Sequence, residues 1–204
     1  MREKSNDVLT AMMSVFVLSG MTAVAFLAAE HEEPTTLDPV TTSAANTMAG
    51  ATQPTGAEWL AEMRPYCNPV DVETRLRWHP SPETMDGLKH RSACLALAGH
   101  IEEARLALLD LPEEERWKGA GVVFDIGHPA ADAGDDVAAG PLMELVVEFW
   151  PNHYMALYHA GAARFQSGDG SEARAYLESF LEYYATEDGW HRDAVSMLAE
   201  IGEG

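Results

Sequence analysis

The residues of this chain whose chemistry could serve a site are two cysteines, eight histidines and a group of closely spaced aspartates. Cys67 and Cys94 lie 27 residues apart, in adjacent predicted helices. Outside the cytoplasm such a pair can form a disulfide, and two buried free thiols are the alternative. His90 and Cys94 are one helical turn apart, a spacing that can chelate a metal, but two ligands do not complete a site. No Cys-x-x-Cys-His motif is present, so we expect no covalently attached haem.

Three aspartates, Asp132, Asp135 and Asp136, fall in the segment DIGHPAADAGDDVAAG, residues 125–140. Their carboxylates could bind Ca²⁺, but the bidentate glutamate of a calcium loop is missing, so we predict a solvated acidic loop. The sequence also lacks His-Glu-x-x-His, Gly-x-Ser-x-Gly and phosphate-loop motifs. We therefore predict no catalytic residue, no metal site and no cofactor.

The charge of the chain excludes one class of partner. It carries 33 acidic and 13 basic residues, for a formal net charge of −20. Phosphate contacts need a basic patch, so we expect no binding to nucleic acid. Its 47% hydrophobic residues and five tryptophans are enough to build a core, which excludes a disordered acidic protein.

The first element is an apolar segment at the amino terminus. Residues 8–29 contain no charge and no proline, and as a helix they would span roughly 33 Å, about the thickness of a bilayer's hydrocarbon core. We predict a transmembrane helix that contacts the lipid bilayer; a cleaved signal peptide and a buried core helix are the alternatives. Arg2 and Lys4 favour a cytoplasmic tail at residues 1–7, an inner-membrane location and a periplasmic, extracytoplasmic remainder. Glu3 and Asp7 dilute that signal.

A linker and a helical domain follow. Residues 30–56 are rich in Thr, Ala, Pro and Gly without apolar periodicity, which predicts an extended tether. Residues 57–204 show apolar spacings of three and four and no strand-like alternation, so the domain is predicted to be all-α. Capping residues are expected at Asn68, Ser81 and Asp169.

An internal repeat runs through this domain. Gly99, Gly134 and Gly168 are spaced by 35 and 34 residues. Each is followed five residues later by an alanine and four residues after that by a large apolar residue; these are Ala104 and Leu108, Ala139 and Met143, Ala173 and Leu177. Gly127 recurs 34 residues later as Gly161. Small residues at these places allow two helices to pack closely, and large ones fill the groove between them.

The order of large, small, alanine and proline positions resembles the tetratricopeptide repeat, a helix–turn–helix unit of 34 residues. The resemblance places repeats at about 85–118, 120–153 and 154–187 and a capping helix at 188–201. Residues 127–129, Gly-His-Pro, depart from the pattern and are expected to break the first helix of the second repeat, and Gly140-Pro141 to restart the second helix late. The resemblance implies a helical solenoid behind a single transmembrane helix.

The resemblance also implies a partner-binding groove lined by the first helix of each repeat. The matching places are Phe124 and His128 in the second repeat and Met155, Tyr158, Ala162 and Phe165 in the third; in the first repeat they are Lys89, Ala93 and Ala96. Such a groove is apolar and favours a peptide or helix with apolar anchors. Tyr158 and Phe165 are alternatively core residues. The family's carboxylate clamp is not matched, because Lys89 stands alone.

These observations favour a non-catalytic scaffold. We expect a single-pass membrane protein whose domain mediates protein–protein interaction as an accessory or stabilising subunit of a multi-subunit membrane complex; respiratory and photosynthetic assemblies are candidates. The alternative is a periplasmic chaperone or assembly factor of the secretion or cytochrome-assembly type. A metal-dependent enzyme that uses the acidic segment and the histidines is a third hypothesis. Beyond residue 29 the chain holds 31 acidic and 11 basic residues, which favours basic patches on its partners.

Overall fold

The computed structural model describes residues 53–203, and the predicted tail, transmembrane helix and all but the last residues of the linker lie outside this range. Residues 53–203 form helices and contain no strand, an arrangement compatible with an α-solenoid. No helix within this range is both long and apolar enough to cross a membrane. The helices are α1 (Gly56–Met63), a 3₁₀ helix (Arg64–Tyr66), α2 (Val72–Trp78), α3 (Met85–Leu97), α4 (Ile101–Leu109), α5 (Glu113–Asp132), α6 (Asp136–Phe149), α7 (Tyr154–Gln166), α8 (Gly170–Tyr183) and α9 (Gly189–Glu203).

The three periodic glycines end the first helix of three helix pairs, α3/α4, α5/α6 and α7/α8. Gly99, Gly134 and Gly168 have φ of 80°, 88° and 80°, which a residue with a Cβ adopts only under strain. Each turn carries the same two hydrogen bonds. In the first, the Gly99 N–H donates to the Ala96 carbonyl and the His100 N–H to the Leu95 carbonyl. This is the Schellman arrangement, so the repeat in the sequence reflects one turn used three times.

The small residues of the repeat lie where the two helices of a pair approach most closely. A Cβ added to Gly161 of α7 would lie 2.7 Å from Leu177 Cγ of α8. A Cβ on Gly127 of α5 would lie 2.9 Å from Leu142 and 3.1 Å from Met143, both on α6. Leu177 and Met143 are the large residues of the repeat and are fully buried. The pattern of small and large residues thus corresponds to real contacts within two pairs.

The predicted break in the second pair is wrong. Helix α5 continues through Pro129 to Asp132, and the predicted loop at 125–140 shrinks to a three-residue turn, residues 133–135. Pro129 lies in the last turn, where it costs one intrahelical hydrogen bond. Asp135 accepts the Ala138 N–H and starts α6, which also contains Pro141. The burial of Ala139, Gly140 and Met143 stabilises α6 and offsets the intrahelical hydrogen bond that Pro141 cannot make.

The structure confirms one of the three capping residues given above and differs at the other two. Asp169 caps α8 as predicted, because its carboxylate accepts the Glu172 N–H. The cap of α3 is Thr84, which accepts the Gly87 N–H, so the prediction at Ser81 is three residues early. Asn68 accepts the N–H groups of Val70 and Asp71 and thus organises the turn before α2.

A disulfide ties the amino-terminal helices to α3. It joins Cys67, which follows the 3₁₀ helix, to Cys94 in α3, with Cα atoms 5.0 Å apart and both residues buried. Cys94 therefore has no thiolate to offer a metal together with His90, which removes that candidate site. The His90 Nδ1 instead lies 2.8 Å from the Asp86 carbonyl oxygen.

Packing follows the chain order. Helix α3 packs on α1, α4 and α5; α6 packs on α5 and α7; and α9 packs on α7 and α8. The buried apolar residues form two clusters. The first runs from α1 to α7, and its largest side chains include Trp59, Met63 and Leu108. The second is formed by α7, α8 and α9 and includes Leu177 and Phe180. The carboxyl end of α5 meets α7 where His128 contacts His159, and His159 in turn contacts Trp190 of α9.

Candidate functional site

Aromatic rings form a continuous network around the beginning of α7. The centroids of neighbouring rings lie 4.2 to 6.3 Å apart, distances at which aromatic rings make edge-to-face or offset contacts. The members are Trp117, Phe124 and His128 of α5; Trp150 and His153 before α7; Tyr154, Tyr158 and His159 of α7; Phe180 and Tyr184; and Trp190 of α9. Three of the nine residues predicted to line a groove, Phe124, His128 and Tyr158, belong to this network.

Phe124 and His128 lie together, as the predicted groove requires. Their rings stack with centroids 4.4 Å apart, and Phe124 also contacts His153 at 4.2 Å. Both side chains are partly exposed. The imidazole of His153 accepts the Ala156 N–H at the start of α7, and burial lowers the pKa of His153, so the ring is kept neutral as this acceptor role demands.

Tyr158 belongs to the core, the alternative that the sequence leaves open for it, and not to a groove surface. Only 8% of Tyr158 is exposed, because its ring lies between Phe180 and Trp190 at 5.2 and 4.7 Å. Burial raises the pKa of its hydroxyl to about 12. The sequence prediction did not anticipate that the last helix, α9, would cover this position.

The other predicted groove positions do not form one surface. Met155 and Phe165 are partly buried and lie outside the described ring contacts, and Ala162 is buried. In the first helix pair Ala93 and Ala96 are fully buried, and Lys89 is bound by Glu115. Phe124 and His128 are the predicted lining residues whose rings stack on each other.

A second feature lies directly beside His128. His128 and Asp132 are one turn apart on α5, with Nε2 and Oδ1 3.2 Å apart. His159 of α7 points its Nε2 toward the same carboxylate, 3.9 Å from Oδ1. One ligand atom from each of the three residues lies within 4.8 Å of the others. We call these residues, together with Asp136, the histidine cluster.

His159 is held from behind by Asp136. The His159 Nδ1–H donates to Asp136 Oδ1 over 2.8 Å, and the Gln166 amide donates to Asp136 Oδ2 over 3.1 Å. In the neutral imidazole, this contact places the proton on Nδ1 and leaves the lone pair on Nε2. Among residues 53–203, the buried Nε2 atoms of His128 and His159 have no hydrogen-bond partner. The contact of His128 with Asp132 at 3.2 Å is not aligned as a hydrogen bond, and that of His159 at 3.9 Å is too long.

The electrostatic setting of the histidine cluster is negative. Within residues 53–203, neither Asp132 nor Asp136 pairs with a lysine or arginine; their close charged or polar partners are His128, His159 and Gln166. Two imidazole nitrogens and a carboxylate oxygen that face a common point are the donor set of many divalent transition-metal sites. Chemically, the cluster can hold a cation.

The sequence places His128, Asp132 and Asp136 in one acidic segment, which only the metal-dependent hypothesis uses, and it does not single out His159, Trp150 or Trp190. The spacing of four residues between His128 and Asp132 was the one available signal. No family model, curated protein or solved structure matches this chain, so the fold and the site stand on the residues themselves.

Proposed function

We propose that this chain is a non-catalytic, single-pass membrane protein whose extracytoplasmic, tetratricopeptide-like domain holds partner proteins, as an accessory subunit of a membrane complex. The apolar segment at residues 8–29 supports the anchor, and the turn used three times with its paired small and large residues supports the repeat. The function itself is carried by one observation, an aromatic surface on the domain.

The aromatic surface consists of Trp117, Phe124, Trp150, His153 and Tyr154. Each ring contacts at least one other ring of the group. Trp117 and Tyr154 are nevertheless 43% and 42% exposed to solvent. Tryptophan and tyrosine dominate the binding energy of protein interfaces when they pack into a partner. A connected group of rings in which Trp117 and Tyr154 are open to solvent favours such an interface.

The expected partner presents apolar anchors surrounded by basic residues. The aromatic rings supply apolar contact area, and the acidic excess beyond residue 29 favours a positively charged rim on the partner. A basic rim should make association salt-dependent.

The test is co-purification of the full-length chain from detergent-solubilised membranes. We expect partners in a fixed ratio, and we expect Trp117→Ala and Phe124→Ala to reduce their recovery at least tenfold without changing the far-ultraviolet circular dichroism. The matched control is Trp78→Ala, because Trp78 is 79% exposed and outside the aromatic surface. Equal loss in all three variants would refute the surface.

The alternative is a chaperone or assembly factor that meets clients transiently. In that case the chain runs alone on native gels, and clients are recovered only after crosslinking. That result would refute the subunit proposal while keeping the aromatic surface, provided that Trp117→Ala also abolished the crosslinks.

A further inference from the structure

We propose that His128, Asp132 and His159 bind one divalent transition-metal ion between α5 and α7, of the class that prefers imidazole nitrogen, with Zn²⁺ as the reference ion. The proposal is independent of the protein partner. It concerns the histidine cluster beneath the aromatic surface.

The ligand atoms lie near the separations that such an ion requires. Zn²⁺ bonds imidazole nitrogen and carboxylate oxygen at about 2.0–2.2 Å, so tetrahedral ligand atoms lie about 3.4 Å apart. The separation from Asp132 Oδ1 is 3.2 Å to His128 Nε2 and 3.9 Å to His159 Nε2. All three ligand atoms lie within 4.8 Å of one another, so their separations exceed those of a tetrahedral site by about 1.4 Å at most.

Asp136 orients His159 through a hydrogen bond, as a carboxylate usually does for a metal-bound histidine. A ligating imidazole usually donates its other N–H to a carboxylate, which orients the ring and raises its basicity. His159 Nδ1 does this to Asp136 over 2.8 Å, and Gln166 holds the second oxygen of Asp136. The supporting carboxylate is itself mostly buried, with 13% of its side chain exposed.

The unpaired nitrogens are the independent observation that points to a ligand. His159 is 1% exposed, and within the described part of the chain its Nε2 has no hydrogen-bond partner while it faces Asp132 and His128. A buried polar atom without a partner is destabilising, and a bound cation would remove that cost for both imidazoles at once. The separation of 3.9 Å from Asp132 is too long for a hydrogen bond, so an imidazolium bridge between the two aspartates is the weaker explanation.

The cluster also has an entrance. The Asp132 side chain is 48% exposed and that of His128 is partly exposed, so an ion can reach the site from solvent. Three protein ligands leave a fourth position for water. Because His128 stacks on Phe124, the ion would fix the orientation of a ring in the aromatic surface.

The experiment uses the full chain in mild detergent, stripped with a chelator and titrated with Zn²⁺. We expect saturation at one ion per chain and, with Co²⁺, the intense visible bands of a tetrahedral complex. Asp132→Asn and His128→Gln should each raise the Zn²⁺ Kd at least tenfold, and Asp136→Asn should raise it about 10–100-fold through the support of His159.

The matched control is His79→Gln. His79 also has an Nε2 without a hydrogen-bond partner, but it lies beside one carboxylate, that of Glu62, and in no three-ligand group of the described residues. Its substitution should leave the Kd unchanged. His159→Asn tests the buried ligand, and where it fails to fold, Asp132→Asn decides because that side chain is half exposed. Absence of saturable binding, or equal Kd values for the parent chain, Asp132→Asn and His128→Gln, would overturn the site.

Discussion

The close approach of α7 and α8 at Gly161 allows the loss of stability in Gly161→Ala to be predicted. Gly161→Ala places a Cβ 2.7 Å from Leu177 Cγ, 2.8 Å from its Cδ2 and 3.3 Å from its backbone nitrogen. Non-bonded carbons prefer about 3.5–4.0 Å, so the overlap approaches about 1 Å. Leu177 is fully buried and cannot turn away, so the two helices must move apart.

The size of the effect follows from two opposing terms. Overpacking in a well-packed core costs typically about 1–3 kcal/mol. The clash here involves Cγ and the backbone rather than the tip of a side chain, so we expect the upper end. Alanine is favoured over glycine in a helix interior by about 1 kcal/mol, which opposes the loss. The net prediction is a decrease of about 2 kcal/mol in the free energy of unfolding.

Two other glycines of α5 serve as controls on the same substitution. A Cβ at Gly121 would meet only Trp150 at 3.6 Å, an ordinary contact, so Gly121→Ala should stabilise the domain by about 0.5–1 kcal/mol. The free energy of unfolding of Gly127→Ala should lie between those of Gly161→Ala and Gly121→Ala, because the nearest atoms are the flexible ends of Leu142 and Met143. The assay is urea unfolding of the full chain followed by circular dichroism. If Gly161→Ala proved as stable as Gly121→Ala, the packing argument would be refuted.

Two further predictions concern the ends of the domain. The disulfide closes a loop of 27 residues, so the double variant Cys67→Ala/Cys94→Ala should lose about 3.5 kcal/mol of stability, and an unchanged urea midpoint would contradict this. The hydrogen bond from the Tyr184 hydroxyl lowers the pKa of the Asp188 carboxyl. Its contribution to stability is full above the unfolded pKa of about 3.9 and is lost as the pH falls through the lower folded value. The difference in urea midpoint between the parent chain and Asp188→Asn should therefore shrink on acidification below about pH 3.9, and a constant difference would refute this linkage.

The features that the sequence predicts well depend on local chemistry. Gly99, Gly134 and Gly168 could be placed because a left-handed turn residue has to be glycine wherever the chain folds back in this way. Asp169 could be placed because a short side chain with an acceptor oxygen is what a helix start needs. Both requirements are set within a few residues and are independent of the rest of the fold.

The features that the sequence does not predict depend on tertiary packing. Tyr158 occupies a groove position by its spacing, but the side chain of Trp190 lies over it and makes it core. That contact joins α7 to α9, 32 residues away in sequence, and no periodicity within the repeat reports it.

The histidine cluster was missed because of one error in secondary structure. The rule that proline ends a helix places a break at Pro129, which would put His128 and Asp132 on different segments and cancel their spacing of one turn. Helix α5 continues through Pro129 because only one hydrogen bond is lost in its last turn and the Schellman bonds of Gly134 and Asp135 hold the end. Once the helix is continuous, His128 and Asp132 share a face, and the short turn to α6 brings Asp136 behind His159. The misplaced helix end therefore separated His128 from Asp132, whereas the place of His159 beside them is set by tertiary packing that no local pattern reports.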